Sequence, residues 1–248
     1  MISKNQQKLV RQLEQKKYRT RERLFVAEGP KVVGDLLRHG YHPTLLFATS
    51  EWILRSKSLP LDIQEVSDEE LHRISFLQHP QQVLALFPIP ESPSVPIVDK
   101  NLLYLALDGV QDPGNLGTII RIADWFGIKT VFCSLDTADV WNPKVVQATM
   151  GSIARVNIIY TNLKELLANA DTPVYGTLLD GEDIYHYPLT ERGIIVMGNE
   201  GNGISEEIRK LVTDKLLIPD FNNSPDRAES LNVAIATAIT CSEFRRRR

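Results

Sequence analysis

GIIVMGNEGNGISEEIRKLV, residues 193–212, is the stretch whose reading decides the fold. Its first six residues form a continuous apolar run that suits a strand buried on both faces. Three glycines follow, and then a helix capped by Ser205, with Glu206 and Glu207 set against the positive end of the helix dipole. A strand that runs straight into a helix in this way belongs to an open α/β sheet, where ligands bind in the crevice at the carboxyl ends of the strands. Two phosphate-binding loops can be tested against it, and neither fits. A P-loop needs Lys after its last glycine, but Ile204 follows Gly203; a dinucleotide fingerprint needs G-x-G-x-x-G, but the loop reads G-N-E-G-N-G. Glu200 in this loop has two readings, as a catalytic carboxylate or as a brace that accepts amide protons and holds the turn.

Upstream, residues 107–128 read LDGVQDPGNLGTIIRIADWFGI. Here a buried strand ends at Asp108 and a helix begins near Asn115, a favoured N-cap residue. Leu116, Ile119, Ile120 and Ala123 repeat at helical spacing and should face the sheet. Gly114, Gly117, Arg121 and Asp124 share another stripe, which lets a large ligand approach the backbone beside a fixed cation. The competing reading is a surface pair between Arg121 and Asp124. Downstream, residues 215–248 give a strand ending at Pro219, a polar loop, and a final helix marked by Leu231, Ile235, Ala238 and Ile239. Ser230 and Asn232 stand at its start, where short polar side chains cap.

The alternation extends along the chain. Beyond residue 99, LLYLALD, TVFCS, RVNIIY, VYGTLL, GIIVMG and KLLIP alternate with helical patterns, which predicts a mostly parallel sheet covered on both faces. The amino-terminal part predicts a smaller α/β unit. It has a basic helix over 3–24, a strand at FVAEG, a helix from Pro30 to Gly40, and strands at TLLFATS, IQEVS and QQVLALF, with short helices around Trp52 and from Asp68. Between the two parts lies PIPESPSVPIV, a proline-rich linker composition that puts a boundary at 91–98, with domains of 1–90 and 99–248.

The net charge of −3 conceals an asymmetry. Residues 1–31 carry nine Lys or Arg against three Glu, and Arg245–Arg248 form a second cationic block on an otherwise acidic body. Clustered cations of this kind are the footprint of a phosphate-backbone partner, although a solvated helix face and a frayed tail would look the same. With only Cys133 and Cys241, a disulfide framework or a cysteine zinc site is not expected, and both thiols read as small buried apolar groups. No stretch of about 18 apolar residues calls for a membrane span, and the amino terminus lacks the apolar core of a secretory signal. A cytoplasmic location follows as the expectation.

Taken together and in order, DPGNLGTIIRIADWFGI, VMGNEGNGIS and IP followed by ESLNVAIATAI resemble the three signature motifs of the SpoU (TrmH-like) branch of the SPOUT methyltransferases. DVWNPKVVQATMGSIARV is also similar to that family, and FVAEGPKVV looks like the entry to the small RNA-recognition domain that often precedes the catalytic one. The resemblance implies a catalytic domain closed by a trefoil knot, a homodimer, and transfer of a methyl group from S-adenosyl-L-methionine to a ribose 2′-hydroxyl of RNA, with ribosomal RNA ahead of transfer RNA. By position it implies that Leu178, Gly198, Ile218 and Leu231, with Asn199 and Gly201 of the glycine loop, hold the cofactor. Asn115, Arg121, Glu200, Ser230 and Asn232 fall at the polar positions associated with activity. One departure is a longer, glycine-free loop from Phe221 to Glu229.

Methyl transfer from a sulfonium needs an in-line nucleophile and no metal. A neutral ribose hydroxyl is a poor nucleophile, so the site must help remove its proton or stabilise the oxygen as charge develops. No histidine stands in the three motifs. Arg121, which stays protonated at neutral pH, is expected to orient a substrate phosphate and polarise the hydroxyl. Two other classes share this pattern: an RNA-binding module on the same fold without catalysis, and a nucleotide-dependent oxidoreductase, which the glycine spacing disfavours.

Overall fold

The computed structural model describes residues 1–56, 62–91, 98–222, 224 and 226–246. Most of the expected linker at 91–98, together with Arg247 and Arg248, lies outside the described residues. In chain order the first elements are α1 (Lys4–Gln12), α2 (Lys16–Glu22), β1 (Leu24–Glu28), α3 (Pro30–Arg38), β2 (Leu45–Ala48), α4 (Ser50–Arg55), β3 (Gln64–Glu65), α5 (Asp68–Ile74) and β4 (Val83–Pro88). They are followed by β5 (Leu103–Asp108), α6 (Pro113–Trp125), β6 (Thr130–Cys133), α7 (Pro143–Ala148), β7 (Asn157–Tyr160), α8 (Leu163–Ala168), β8 (Val174–Asp183), β9 (Gly193–Gly198), α9 (Glu206–Arg209), β10 (Asp214–Leu217) and α10 (Val233–Arg246). The chain divides into two compact units, one of residues 1–91 with 139–155, the other of 92–138 with 156–248.

The first unit holds a four-stranded sheet in the order β1-β4-β2-β3, antiparallel except for the β2–β3 pair. The expected basic helix over 3–24 is two helices, because Arg19 is only 2% exposed and folds back on the break. Its guanidinium donates to the carbonyls of Leu13 and Glu14, both at 2.7 Å, and to Asp139 at 2.5 Å. The carbonyls that end α1 are thus satisfied by a buried cation, which is itself paired, as burial of a charge requires. Residues 139–155 complete this unit: Trp141 lies against Phe25 of β1 with ring centroids 4.5 Å apart, and Val145, Val146 and Ile153 are buried.

The second unit is a six-stranded sheet in the order β10-β8-β9-β5-β6-β7, with every pair parallel. Such a sheet needs apolar cover on both faces, and β5, β6 and β9 are buried almost throughout. Tyr104, Phe132, Ile194 and Val196 form one core cluster with Leu163 and Leu167 of α8 and Ile208 of α9. The α/β class with a mostly parallel sheet is therefore what the chain adopts. Cys133 and Cys241 are both fully buried, and burial pushes their thiols up, to about 12 for Cys241.

Two features shape the carboxyl end of this sheet. The chain leaves β5 toward β6 and leaves β9 toward β10, in opposite directions across the sheet, so the β5–β9 border is a topological switch point. In β8, residues 177–181 bulge out of the ladder, since β10 pairs Lys215 with Gly176 and then Leu216 with Glu182. The helices α6 and α10 lie side by side and run in the same direction. Asn232 at the start of α10 bonds Asn115 in the first turn of α6, and Arg245 near its end donates to the carbonyl of Phe126 at 2.9 Å.

Candidate active site

At the switch point the loops after β5 and β9 are bound together by side chains. Asp108, the last residue of β5, accepts from the amide of Ser205 at 2.7 Å, and the amide of Gly109 donates to Ser134 at 2.8 Å. Asn199 donates to the carbonyl of Gly109 at 2.6 Å while its own Oδ1 accepts from the amides of Gly201 and Asn202 at 2.9 and 3.0 Å. Two backbone bonds of 2.9 Å between Asn199 and Gly203 close the loop on itself. The closure is tight at Gly198, where a Cβ would stand 2.2 Å from the Gly203 carbonyl carbon, so only glycine fits. Gly201 differs, since a Cβ there would meet only Asn199 Oδ1 at 3.6 Å.

Glu200 is the centre of this arrangement. Its carboxylate accepts from the amides of Gln111 (3.2 Å) and Asp112 (3.1 Å) and from the Asn115 amide group (3.0 Å). Partial burial pushes the carboxyl up, but hydrogen bonds from Asn115, its own amide, Gln111 and Asp112 outweigh it and hold the group below the ordinary glutamate range. Asn115 in turn accepts from Asn232 at 2.9 Å, and Asn232 Oδ1 caps α10 through the amides of Ala234 and Ile235. Glu200, Asn115 and Asn232, one from each motif, thus form a single chain of hydrogen bonds. The bracing role read for Glu200 is present, with the braced turn belonging to the preceding motif.

Asn115 does not cap α6. Asp112 does, accepting from the Asn115 amide at 2.7 Å, with Pro113 at the first helical position. An Asp-Pro pair is a start signal in its own right and marks this helix three residues earlier than the periodicity does. Asp108, Gly109 and Asp112 are hub residues that the motif reading passed over.

Arg121 is exposed on α6, ~9 Å along the axis from Asn115 at 1.5 Å per residue. It has no hydrogen bond or ion pair with a described residue, so the surface pair with Asp124 is not formed. Ser230 is exposed before α10 and is not joined to the hub. Of the positions implied for the cofactor, Leu178 lies in the β8 bulge, two residues beyond the last β8–β9 pair, Gly176 with Val196. Ile218 follows β10 directly and is half-buried, while Leu231 is 50% exposed. Gly198 ends β9 and Ile218 follows β10, while Leu178 lies within β8, the strand between them. Apolar side chains at the carboxyl end of a parallel sheet suit a flat heterocycle, so the residues fit an adenosyl group. Among the described residues no group of His, Cys, Asp and Glu is placed to hold a metal ion, and no helix is long and apolar enough to cross a membrane.

Comparison with known proteins agrees with this architecture. The SpoU rRNA methylase family model matches residues 102–242, and the MRM3-like substrate binding domain model matches residues 4–85. The chain belongs to the SpoU rRNA methylase family. It is 32% identical to the 23S rRNA (guanosine(2553)-2′-O)-methyltransferase RlmP of Bacillus subtilis, over 95% of this chain and 94% of the relative. Among solved structures it is similar to a TrmH-family protein of Porphyromonas gingivalis, with 46% identity, full coverage of both chains and a TM-score of 0.89. An AdoMet-bound rRNA methyltransferase of Sinorhizobium meliloti superposes with a TM-score of 0.87 at 32% identity, covering 100% of this chain and 97% of that one.

Proposed function

We propose that this SpoU-family methyltransferase methylates a ribose 2′-hydroxyl of ribosomal RNA with S-adenosylmethionine as donor. The observation that carries the reading is the chain of hydrogen bonds from Glu200 through Asn115 to Asn232, which draws the three motifs together at the carboxyl end of a parallel sheet. When bound, S-adenosylmethionine supplies an activated methyl group, so the protein has only to position the hydroxyl and manage its proton. Leu178, Gly198, Asn199, Gly201, Ile218 and Leu231 are the residues we assign to holding it. Arg121 is an exposed cation on α6, the helix that carries Asn115, suited to a substrate phosphate and to the negative charge that develops on the ribose oxygen. Ser230 stands at the entrance to α10 as a candidate contact to substrate.

Residues 1–90 serve RNA recognition in this reading and 99–248 serve catalysis, with 91–98 as the connection. A homodimer is supported by the apolar groups that α6 and α10 leave exposed, with Trp125 at 85% and Ile235 at 53%. Threading of the final segment into a trefoil knot, and a cytoplasmic location, complete the proposal.

The test is incubation of the purified protein with methyl-labelled S-adenosylmethionine and protein-free 23S ribosomal RNA, followed by mapping of ribose methylation. Label confined to one ribose is expected; no transfer to RNA overturns the reading. Arg121→Lys should lower turnover by roughly a hundredfold, because a point charge replaces a planar fork. Near-wild-type turnover in that variant would remove Arg121 from the chemistry.

A further inference from the structure

A cleft of about 290 Å³ lies in the first unit between α3 and α4, far in sequence from all three motifs. Pro30, Gly34, Leu37 and Arg38 form one wall at helical spacing, and Trp52, Arg55 and Ser56 form the other. Gly34 keeps the floor open: a Cβ there would already meet the Arg38 guanidinium at 3.2 Å. Trp52 is almost wholly buried, so the base of the cleft is apolar and its rim is charged.

Arg38 on that rim is held by one buried anion. Asp35, its side chain 3% exposed, pairs with Lys31 at 2.7 Å, Arg155 at 3.1 Å, and Arg38. Lys31 and Arg38 remain 59% and 63% exposed, so the negative charge is hidden while the cations it steers face solvent. Gly151 packs on Asp35 so closely that a Cβ would stand 2.3 Å from Oδ2, which seals the carboxylate from water. On the opposite wall Arg55 is 70% exposed and paired with Glu51 at 2.7 Å. The charged residues that line the cleft are Arg38 and Arg55, one on each wall beside Trp52.

We propose that this cleft is a docking point for the RNA backbone, in which Arg38 and Arg55 take a phosphate from opposite walls. Asp35 acts as the positioning residue for Arg38. A guanidinium with one edge held by a carboxylate still offers several N–H groups, and holding it removes much of the entropy that a free side chain loses on binding. The inference rests on RNA being the substrate and says where, outside the catalytic site, the grip is made.

The test uses the full-length protein and protein-free 23S ribosomal RNA, with affinity measured from 50 to 200 mM potassium chloride. Arg38→Ala with Arg55→Ala should weaken binding by roughly tenfold at intermediate salt and reduce the slope of log affinity against log salt by about 1.5, for two lost phosphate contacts. Arg38→Lys with Arg55→Lys should keep most of the slope, a rescue that a packing role would not produce. Cross-linking of the wild-type protein to 4-thiouridine-substituted RNA should give adducts in residues 30–38 or 50–56 and covers the case of a misfolded variant. Unchanged affinity and slope in a folded alanine variant, or adducts that avoid both segments, overturn the proposal. A wild-type protein that binds no ribosomal RNA overturns the parent reading as well.

Discussion

Two glutamates differ in what their surroundings do to them. Glu200 is held ionised by donated hydrogen bonds, and its folded pKa lies below the ordinary value of 4.5. Its contribution to stability is therefore complete above that value and is lost as pH falls through the depressed folded one. Glu28 is the reverse. Burial raises its pKa, only partly offset by hydrogen bonds from Ser75 and the Phe76 amide and by the charge of Arg11. Its contribution is complete below 4.5 and declines as pH rises through the raised folded pKa. Melting curves across the acid range should show Glu200→Gln flattening the loss of stability at low pH, and Glu28→Gln gaining relative to wild type as pH rises toward neutral. The reverse order would mean that the two environments are misjudged. Of these roles, only the bracing by Glu200 was legible in the sequence. A glutamate that ends a β-strand gives no local sign that Ser75 will close over it.

For single elements, the β9-to-loop turn is the most sharply constrained. Gly198→Ala forces a methyl group onto the Gly203 backbone, and because neither partner is a flexible side chain, the loop itself must shift. A destabilisation of about 3 kcal/mol is expected from overpacking of this kind, with loss of S-adenosylmethionine binding by calorimetry. Binding at wild-type strength would separate the loop closure from the cofactor site. The strands were readable because a sheet buried on both faces writes itself as apolar runs. The split of the first helix was not, since the group that ends α1 is Arg19, and Arg19 is held by Asp139, 120 residues away. The β8 bulge was hidden for a similar reason: VYGTLL has uninterrupted strand composition, and what ejects residues 177–181 is the register of β10.

The two units of the molecule are not two stretches of chain. Residues 139–155 arise between β6 and β7 of the parallel sheet yet pack with the amino-terminal unit. Arg19–Asp139 and Asp35–Arg155 pin that segment at its two ends. Deleting residues 1–90 therefore does more than remove an RNA-binding module: it strips cover from Val140, Val145, Val146 and Ile153. The truncated protein should bind an apolar dye such as ANS and tend to associate, and it should lose RNA affinity while retaining S-adenosylmethionine binding. RNA affinity equal to that of the full chain would reject the assignment of recognition to the amino-terminal unit.

The borrowed segment also orders events in time. A ribosome making this chain releases all four strands of the first sheet long before it reaches residue 139, so that unit must wait, with Arg19 and Asp35 lacking their distant counter-charges, until about two-fifths of the remaining sequence has emerged. Cotranslational folding cannot finish the first unit first, and a chimaera that exchanges it between relatives must carry two separate pieces of the gene.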